Sequence, residues 1–259
     1  MAAKVQDVIL LFGDSITQGA WEPGLNALGQ RLSHVYARRL DVVNRGFSGY
    51  NTEWGLPVFE QCIAKREDKG APRIQLLTIW FGANDACIHP SPQHIPLERF
   101  KDNIRKMVQM VKSPDSEYYS PWTRVILLTP PPVNTHQRLA DLQSRNPPLA
   151  LDRLFDTTKL YAQVVQEIGE QEGVAVVDVW TLLWDASGRD EASLNQYLID
   201  GLHLNGVGYE VVYNQLMETI RARHPEVYYE NLRPIFPWWA DINWDNPNES
   251  LYVQKVDSN

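Results

Sequence analysis

The sequence predicts an α/β fold of three layers, with a parallel β-sheet between two layers of helices. Five short runs rich in Val, Ile and Leu are continuously apolar, which is typical of strands buried on both faces of a parallel sheet. Segments whose apolar residues recur at a period near 3.6 separate these runs and predict amphipathic helices. Strands that alternate with helices in this way form parallel sheets through right-handed crossovers.

The predicted elements follow one another along the chain without an internal repeat. The five strand-like runs occupy residues 8–12, 41–44, 76–80, 125–129 and 174–177. The four helical stripes occupy residues 25–40, 96–112, 154–168 and 207–220. The polar segment from about residue 130 to 150, which begins with three prolines, is predicted as a long loop. Because it follows the fourth strand, it would emerge at the carboxyl edge of the sheet, where loops are usually functional.

The chain is predicted to divide into a domain of residues 1–223 and a tail of residues 224–259 that is rich in Pro and Trp. Trp238, Trp239 and Trp244 lie within seven residues of one another. Indole rings at this density are seldom left in water. We therefore expect the tail to pack on its own domain, to act as a lid or to reach a second subunit.

The composition argues against several classes of function. A formal net charge of −8, from 24 basic and 32 acidic side chains, disfavours binding to nucleic acid and to an anionic membrane surface. Apolar runs of four to seven residues are too short to span a bilayer. Two cysteines, Cys62 and Cys87, have neither the number nor the spacing of a disulfide framework or a zinc site. Since the start of the chain lacks the pattern of a signal peptide, a cytoplasmic protein is expected.

Residues that can carry chemistry follow the predicted strands. Gly13-Asp14-Ser15 follows the first strand, the segment 44–49 follows the second, and Gly82-Ala83-Asn84-Asp85 follows the third. The segment Asp200-Gly201-Leu202-His203 comes just before the last helix. Because the carboxyl ends of parallel strands meet at one edge of a sheet, we expect these four segments to converge.

Ser15 is the candidate nucleophile, because a hydroxyl at a strand-to-helix turn is exposed and lies near backbone N–H groups. A serine nucleophile needs a general base, and the base needs a group that orients it. Asp200 and His203 are three residues apart, so one turn can hold the carboxylate against the imidazole while the other ring nitrogen faces Ser15. The backbone N–H groups of Ser15 and Gly49 and the side chain of Asn84 can form an oxyanion hole. This chemistry requires no cofactor and no metal.

Other interpretations of the same residues stay open. Ser15 can be merely the N-cap of the first helix, while Asp14 and Asp85 can hold their loops through backbone hydrogen bonds. Gly46 competes with Gly49 as the oxyanion glycine. A metal-dependent phosphoesterase is the alternative function, because carboxylate and imidazole groups also ligate metals. Its candidate ligands are Asp14, Asn84, Asp85, Asp200 and His203.

Four segments of the chain resemble the four ordered blocks of the GDSL, or SGNH, hydrolase superfamily. They are GDSITQG, NRGFSGYNT, FGANDA and DGLHLN. The resemblance implies a flavodoxin-like fold with strand order 2-1-3-4-5 and Ser15 as the nucleophile. It assigns the oxyanion hole to Gly49 and Asn84 together with the nucleophile's own N–H. It also implies that Asp200 and His203 complete the catalytic triad.

In more detail, the segments LLFGDSIT, RGFSGYNT, FGANDAC and DGLHLNGVGY are similar to the isoamyl acetate-hydrolysing esterases. This similarity implies a serine esterase that acts on short-chain esters such as acetates and forms a homodimer. A longer acyl preference, as in the thioesterases and lysophospholipases of the superfamily, is the alternative. The tail is then expected to contribute to a subunit contact near the site. The candidate substrate-binding residues are Trp21, Phe47, Cys87, Trp238 and Trp239, with packing as the alternative role.

Overall fold

The computed structural model describes residues 6–252, which form a five-stranded parallel sheet in the order β2-β1-β3-β4-β5. The strands are β1 (Asp7–Gly13), β2 (Leu40–Gly46), β3 (Ile74–Trp80), β4 (Arg124–Leu128) and β5 (Ala175–Val177). Each strand-like run of the sequence is therefore a strand. The predicted fold class and the predicted strand order 2-1-3-4-5 are both confirmed.

Both faces of the sheet are buried, which explains why the strand sequences are apolar without alternation. Ile9 and Leu11 of β1 pack in the core on one face, while Leu10 and Phe12 pack in the core on the other. Successive side chains of a strand point to opposite faces, so a strand between two layers must be apolar at every position. The apolar side chains of β3 and β4 divide between the two faces in the same way.

Helices cover the two faces of the sheet. They are α1 (Ser15–Gln18), α2 (Leu28–Val35), α3 (Thr52–Cys62), α4 (Leu97–Lys112), α5 (Thr135–Ser144), α6 (Phe155–Glu172), α7 (Val179–Ala186) and α8 (Gly206–Arg223). Helices α2, α7 and α8 pack on one face, and α3, α4 and α6 pack on the other. Helix α4 buries Phe100, Ile104 and Met107 along one stripe, as its sequence period predicts. Within residues 6–252, every helix is too short or too polar to span a bilayer.

Helix α5 shows that the prediction of a loop between residues 130 and 150 is wrong. Asn134 caps this helix, since its side chain accepts a hydrogen bond from the backbone N–H of Gln137 at 3.0 Å. An Asn followed three residues later by Gln is a helix-start signal, which the neighbouring prolines and the polar composition obscure. Because α5 follows β4, it lies beyond the carboxyl end of the sheet, at the edge where the functional residues are expected.

The tail after α8 packs on its own domain, at the edge of the sheet where the strands begin. Nη2 of Arg38 donates a hydrogen bond to the carbonyl oxygen of Pro237 at 2.8 Å, and Nε of Arg39 donates to that of Leu232 at 3.1 Å. Both arginines directly precede β2, so they lie at its amino end. The described part of the tail is therefore held away from the carboxyl edge of the sheet in the same chain. The domain boundary at residue 223 stays a prediction.

Candidate active site

Ser15 is the first residue of α1, and its hydroxyl faces a histidine. The N-cap of α1 is Asp14, whose carboxylate accepts a hydrogen bond from the backbone N–H of Ile16 at 2.9 Å. Oγ of Ser15 lies 2.9 Å from Nε2 of His203. The interpretation of Ser15 as a mere cap is therefore wrong, and Asp14 has the loop-holding role expected of it. Burial raises the pKa of Asp14 to about 6.

Asp200 holds both the ring of His203 and the loop that carries it. Oδ2 of Asp200 lies 2.9 Å from Nδ1 of His203, while Oδ1 accepts hydrogen bonds from the backbone N–H groups of Leu202 and His203. Burial raises the pKa of Asp200, but the hydrogen bonds from His203 and the charge of Arg138 outweigh it and hold this pKa well below its ordinary value. An ionised carboxylate only accepts hydrogen bonds, so neutral His203 carries its proton on Nδ1. The lone pair of Nε2 then faces Ser15.

The structure separates the two glycines that competed for the oxyanion role. Gly46 ends β2 and its backbone N–H donates to Oδ1 of Asn44 at 2.8 Å. A Cβ at position 46 would lie 2.0 Å from the backbone nitrogen of Gln18, so this glycine allows β2 to approach α1 closely. Gly49 has a φ of +80°, a left-handed conformation that favours glycine. Its turn follows the carboxyl end of β2.

Asn84 is a buried residue in the turn after β3. Its Nδ2 donates one hydrogen bond to the carbonyl oxygen of Tyr50 at 2.8 Å, and its Oδ1 accepts one from Arg153 at 2.7 Å. The amide nitrogen has a second N–H for a further acceptor. Ser15, Gly49 and Asn84 follow β1, β2 and β3, which are neighbours in the sheet. Three potential oxyanion donors thus lie in turns that follow three adjacent strands, at the carboxyl edge of the sheet.

This arrangement coincides with a match to a known family. The sequence profile of the GDSL-like lipase/acylhydrolase family matches residues 11–211, which include all of the residues above. The chain belongs to this family. As a member of it, the protein is a carboxylic ester hydrolase.

Relatives within the family cover almost the whole chain. The isoamyl acetate-hydrolyzing esterase 1 homolog of Homo sapiens is 36% identical over 247 residues, which are 94% of this chain and 91% of that protein. The isoamyl acetate-hydrolyzing esterase of Saccharomyces cerevisiae is 33% identical over 92% of this chain and 96% of its own length. The lipase/acylhydrolase from Enterococcus faecalis has a similar structure, with a TM-score of 0.59 and 27% identity, over 88% of this chain and 98% of that one.

The candidate substrate-binding residues Trp238 and Trp239 lie at the amino edge of the sheet, whereas Ser15 lies at the carboxyl edge. Trp238 packs on Arg38, whose guanidinium carbon lies 5.1 Å from the centre of the indole ring. Arg38 precedes the amino end of β2, whereas Ser15 follows the carboxyl end of β1. The expectation that these two tryptophans bind substrate within their own chain is therefore corrected. Their contact with a second subunit's site stays a prediction.

Trp21, Phe47 and Cys87 lie nearer to the four sequence blocks. The ring of Trp21 packs on Gly29 of α2, where a Cβ would lie only 2.2 Å from it. Phe47 contacts the rings of Phe12 and Tyr50 beside the turn of Gly49. Contact of Trp21 and Phe47 with a substrate stays a prediction.

Cys87 has no surface to offer a substrate. Its side chain is 1% exposed and its Sγ faces Oε1 of Gln93 at 3.5 Å. Burial raises the pKa of this thiol. The structure supports the alternative role considered for it, a small buried residue that packs behind the turn of Asn84.

The described residues do not form the cluster of ligands that the alternative, a metal-dependent phosphoesterase, would need. Among residues 6–252, no three His, Cys, Asp or Glu side chains are grouped closely enough to hold a metal ion. The candidate ligands have other partners: Asp14 caps α1, and Oδ1 of Asp85 accepts hydrogen bonds from the backbone N–H and the hydroxyl of Thr52.

Sequence reasoning missed two buried arginines that contact the site. Arg138 of α5 donates to Asp200, and Arg153 donates to Asn84. The missed helix explains the first omission, because Arg138 falls in the segment predicted as a polar loop. The cap at Asn134 is the signal that could have found this helix. No local pattern identifies Arg153, whose partner Asn84 is 69 residues away in the sequence.

Asp85 gives the protein a testable pH dependence of stability. Burial raises the pKa of Asp85 to about 7, against an ordinary value of 3.8. The folded protein therefore keeps a proton that the unfolded chain releases between these values, so the free energy of unfolding falls as the pH rises. We expect the ionisation of Asp85 to lower the free energy of unfolding by up to about 1.4 kcal/mol for each pH unit between these two values. The Asp85→Asn variant should lack this contribution.

Urea denaturation of both proteins at pH 5, 6 and 7 measures the difference. Asp102→Asn is the matched control, because Asp102 is an exposed carboxylate on α4. This control should keep the pH slope of the wild type. An identical slope in Asp85→Asn and in the wild type would contradict the assignment.

Proposed function

We propose that the protein hydrolyses carboxylic esters through an acyl-enzyme on Ser15, with His203 as the general base and Asp200 as its orienting carboxylate. The observation that carries this proposal is the hydrogen-bonded chain from Ser15 to Asp200. The distance from Oγ of Ser15 to Nε2 of His203 is 2.9 Å, and that from Nδ1 of His203 to Oδ2 of Asp200 is also 2.9 Å. Distances in this range allow the base to take the hydroxyl proton directly.

The proposed reaction has two halves that use the same groups. In the first half, Oγ of Ser15 attacks the carbonyl carbon of the ester while Nε2 of His203 takes the hydroxyl proton. The tetrahedral intermediate collapses as His203 returns this proton to the leaving alcohol. In the second half, His203 deprotonates a water molecule that attacks the acyl-enzyme and releases the acid. Asp200 stays ionised and stabilises the imidazolium that forms twice per turnover.

We assign the oxyanion hole to the backbone N–H groups of Ser15 and Gly49 and to Nδ2 of Asn84. Ser15 is the first residue of α1, so its N–H has no partner within the helix. The left-handed conformation of Gly49 and the second N–H of Asn84 support their part in the assignment. Losing one donor of this kind costs about 2.7–4 kcal/mol of transition-state stabilisation in enzymes that use it.

The proposed substrates are esters with short acyl groups, such as acetates. The names of the relatives from Homo sapiens and Saccharomyces cerevisiae support this class. A panel of p-nitrophenyl and alkyl esters, varied separately in acyl and alcohol length, tests it. We expect kcat/KM to be highest for acetate or similarly short acyl groups and turnover to persist after chelation with EDTA.

Two results of this panel would contradict the proposal. A preference for acyl chains longer than about ten carbons would favour the thioesterase or lysophospholipase alternative. Loss of activity on chelation, with recovery on adding a divalent metal, would favour the metal-dependent phosphoesterase.

We also propose that two copies of the chain associate through the tail. Trp238, Trp239 and Trp244 are 54%, 60% and 74% exposed, and clustered apolar surface of this kind is typical of interaction sites. Light scattering should give the mass of two chains. The double variant Trp239→Ser/Trp244→Ser should give the mass of one chain. A wild-type protein with the mass of one chain at micromolar concentration would contradict the proposal.

A further inference from the structure

Two buried arginines flank the chain of hydrogen bonds from Ser15 to Asp200. Arg138 lies in α5 and is 5% exposed, while Arg153 lies just before α6 and is 3% exposed. A guanidinium is costly to bury unless carboxylates and carbonyl oxygens surround it. The hydrogen-bond partners of these two side chains therefore indicate which groups the buried arginines hold in place.

Arg138 holds the carboxylate of Asp200. Its Nη1 donates to Oδ2 of Asp200 at 2.9 Å, the same oxygen that lies 2.9 Å from Nδ1 of His203. Its Nε and Nη2 donate to the two oxygens of Asp152 at 3.0 and 2.8 Å in a bidentate pair. Because this pair fixes the plane of the guanidinium, Arg138 restrains the rotation of the Asp200 carboxylate.

Arg153 holds the amide of Asn84. Its Nη2 donates to Oδ1 of Asn84 at 2.7 Å, and its Nε donates to the carbonyl oxygen of Ala83 at 2.6 Å. A guanidinium can only donate, so it keeps the oxygen of the amide on its own side. Nδ2 of Asn84 is consequently turned toward Tyr50, in the orientation in which its second N–H is available to an oxyanion.

Asp152 joins the two arginines. It accepts hydrogen bonds from Arg138 and from Nη1 of Arg153, so charges of alternating sign run from Asp200 through Arg138 and Asp152 to Arg153. Burial raises the pKa of Asp152, but the hydrogen bond from Arg138 and the charge of Arg153 bring it below its ordinary value. The carboxylate therefore stays ionised and keeps both arginines paired.

We infer that Arg138, Asp152 and Arg153 form an ionic chain that positions the base-orienting carboxylate of Asp200 at one end and the oxyanion amide of Asn84 at the other. The inference rests on the proposed function, because it gives Asp200 and Asn84 their roles. The three residues are positioning residues, since their hydrogen bonds run to Asp200, Asn84 and Ala83 and not to Ser15. The segment that follows β4 then aligns the base and the oxyanion hole together.

Arg138 also affects the charge beside His203. The charged and titratable groups that act on this region are Asp200 on the same loop, Asp14 in the turn after β1, Arg138 with Asp141 on α5, and Arg153 with Asp152. Without Arg138, the charge of Asp200 is opposed less, and the imidazolium form of His203 becomes more stable. We expect the acidic limb of the pH profile of kcat/KM to move to higher pH by about 0.5–1 unit in Arg138→Met.

Steady-state kinetics of two variants of Arg138 and one variant of Arg145 test this end of the ionic chain. Arg138→Lys restores a positive charge but cannot form the bidentate pair with Asp152. Its acidic limb should therefore return toward that of the wild type, while its kcat should stay below that of the wild type. Arg145→Met is the matched control, because Arg145 is an exposed arginine of the same region that pairs with Asp141. Its limb and its kcat should match those of the wild type. Loss of folded protein alone would not move the limb.

The other end is tested by Arg153→Met. Without the guanidinium, the amide of Asn84 loses the partner that fixes its orientation. We expect kcat per active site, titrated with a fluorophosphonate, to fall about 10- to 100-fold, with KM within about threefold of the wild type. A change confined to KM would indicate a role in substrate binding and would count against the inference.

The inference is overturned by a folded Arg138→Met enzyme whose acidic limb is that of the wild type, or by an Arg153→Met enzyme whose kcat is within twofold of it. If Arg138→Met does not fold, the double variant Arg138→Met/Asp152→Asn replaces it, because it removes one charge of each sign. Its acidic limb should move in the same direction by a smaller amount. Activity retained by Ser15→Ala would instead overturn the proposed function. The two failures are therefore measured separately.

Discussion

The Ser15→Ala variant is expected to lose turnover of p-nitrophenyl acetate by about 10⁴- to 10⁶-fold while keeping its fold. The substitution removes only Oγ, which lies 2.9 Å from Nε2 of His203. It leaves the cap of α1 intact, because Asp14 rather than Ser15 accepts the hydrogen bond from Ile16. Alanine is also a good helix former at the first helical position. The loss of rate should therefore come without a loss of stability.

Kinetics, thermal unfolding and mass spectrometry together check this result. A serine-directed fluorophosphonate should add to the wild type on Ser15 and should not add to the Ser15→Ala variant. Ser33→Ala, in helix α2, is the matched control and should keep both the activity and the labelling. Wild-type turnover in a correctly folded Ser15→Ala protein would show that another group is the nucleophile.

The Asp200→Asn variant is expected to lose about 10⁴-fold in kcat, with a much smaller change in KM. In the wild type, Oδ2 of Asp200 accepts from His203 and Arg138, while Oδ1 accepts from the backbone N–H groups of Leu202 and His203. An asparagine must place its NH₂ group on one of these two sides. Donors face donors on either side, and a neutral amide no longer stabilises the imidazolium of His203 by its charge.

Asp190→Asn is the matched control for this variant. Asp190 is an exposed carboxylate on the segment that leads to Asp200, where it accepts hydrogen bonds from the backbone N–H and the hydroxyl of Ser193. Its replacement should leave kcat within twofold of the wild type. If Asp200→Asn kept kcat within about tenfold of the wild type, Asp200 would not be the residue that orients the base.

Local patterns in the sequence are sufficient for the sheet and for the four helices α2, α4, α6 and α8. The apolar run at residues 8–12 lies within β1, and the stripe that contains Phe100 and Ile104 corresponds to α4 almost residue for residue. These patterns succeed because burial on two faces, or on one stripe, is a requirement at every position of an element. Helix α5 is not predicted, because its apolar stripe is short and the cap at Asn134 is its only clear sequence signal for a helix start.

The candidate nucleophile, base and oxyanion donors can also be identified from the sequence alone. Each lies in a short segment at the end of a predicted strand or before the last helix, and the topology of a parallel sheet brings such segments together. The partners of these residues cannot be identified in this way. Arg138, Asp152 and Arg153 lie in a polar stretch of the sequence that contains other arginines and aspartates, and nothing local distinguishes the buried Arg138 and Arg153 from the exposed Arg145.

The sequence by itself thus determined the layers, the strand order implied by its family resemblance and the residues that converge at the carboxyl edge. Only the tertiary structure decided which oxygen each buried donor reaches and where the tail lies. The reason is sequence separation: the hydrogen bond between Ser15 and His203 spans 188 residues, and that between Arg138 and Asp200 spans 62. Hydrogen bonds depend on the distance and direction between two groups, and those are set when the helices dock on the sheet.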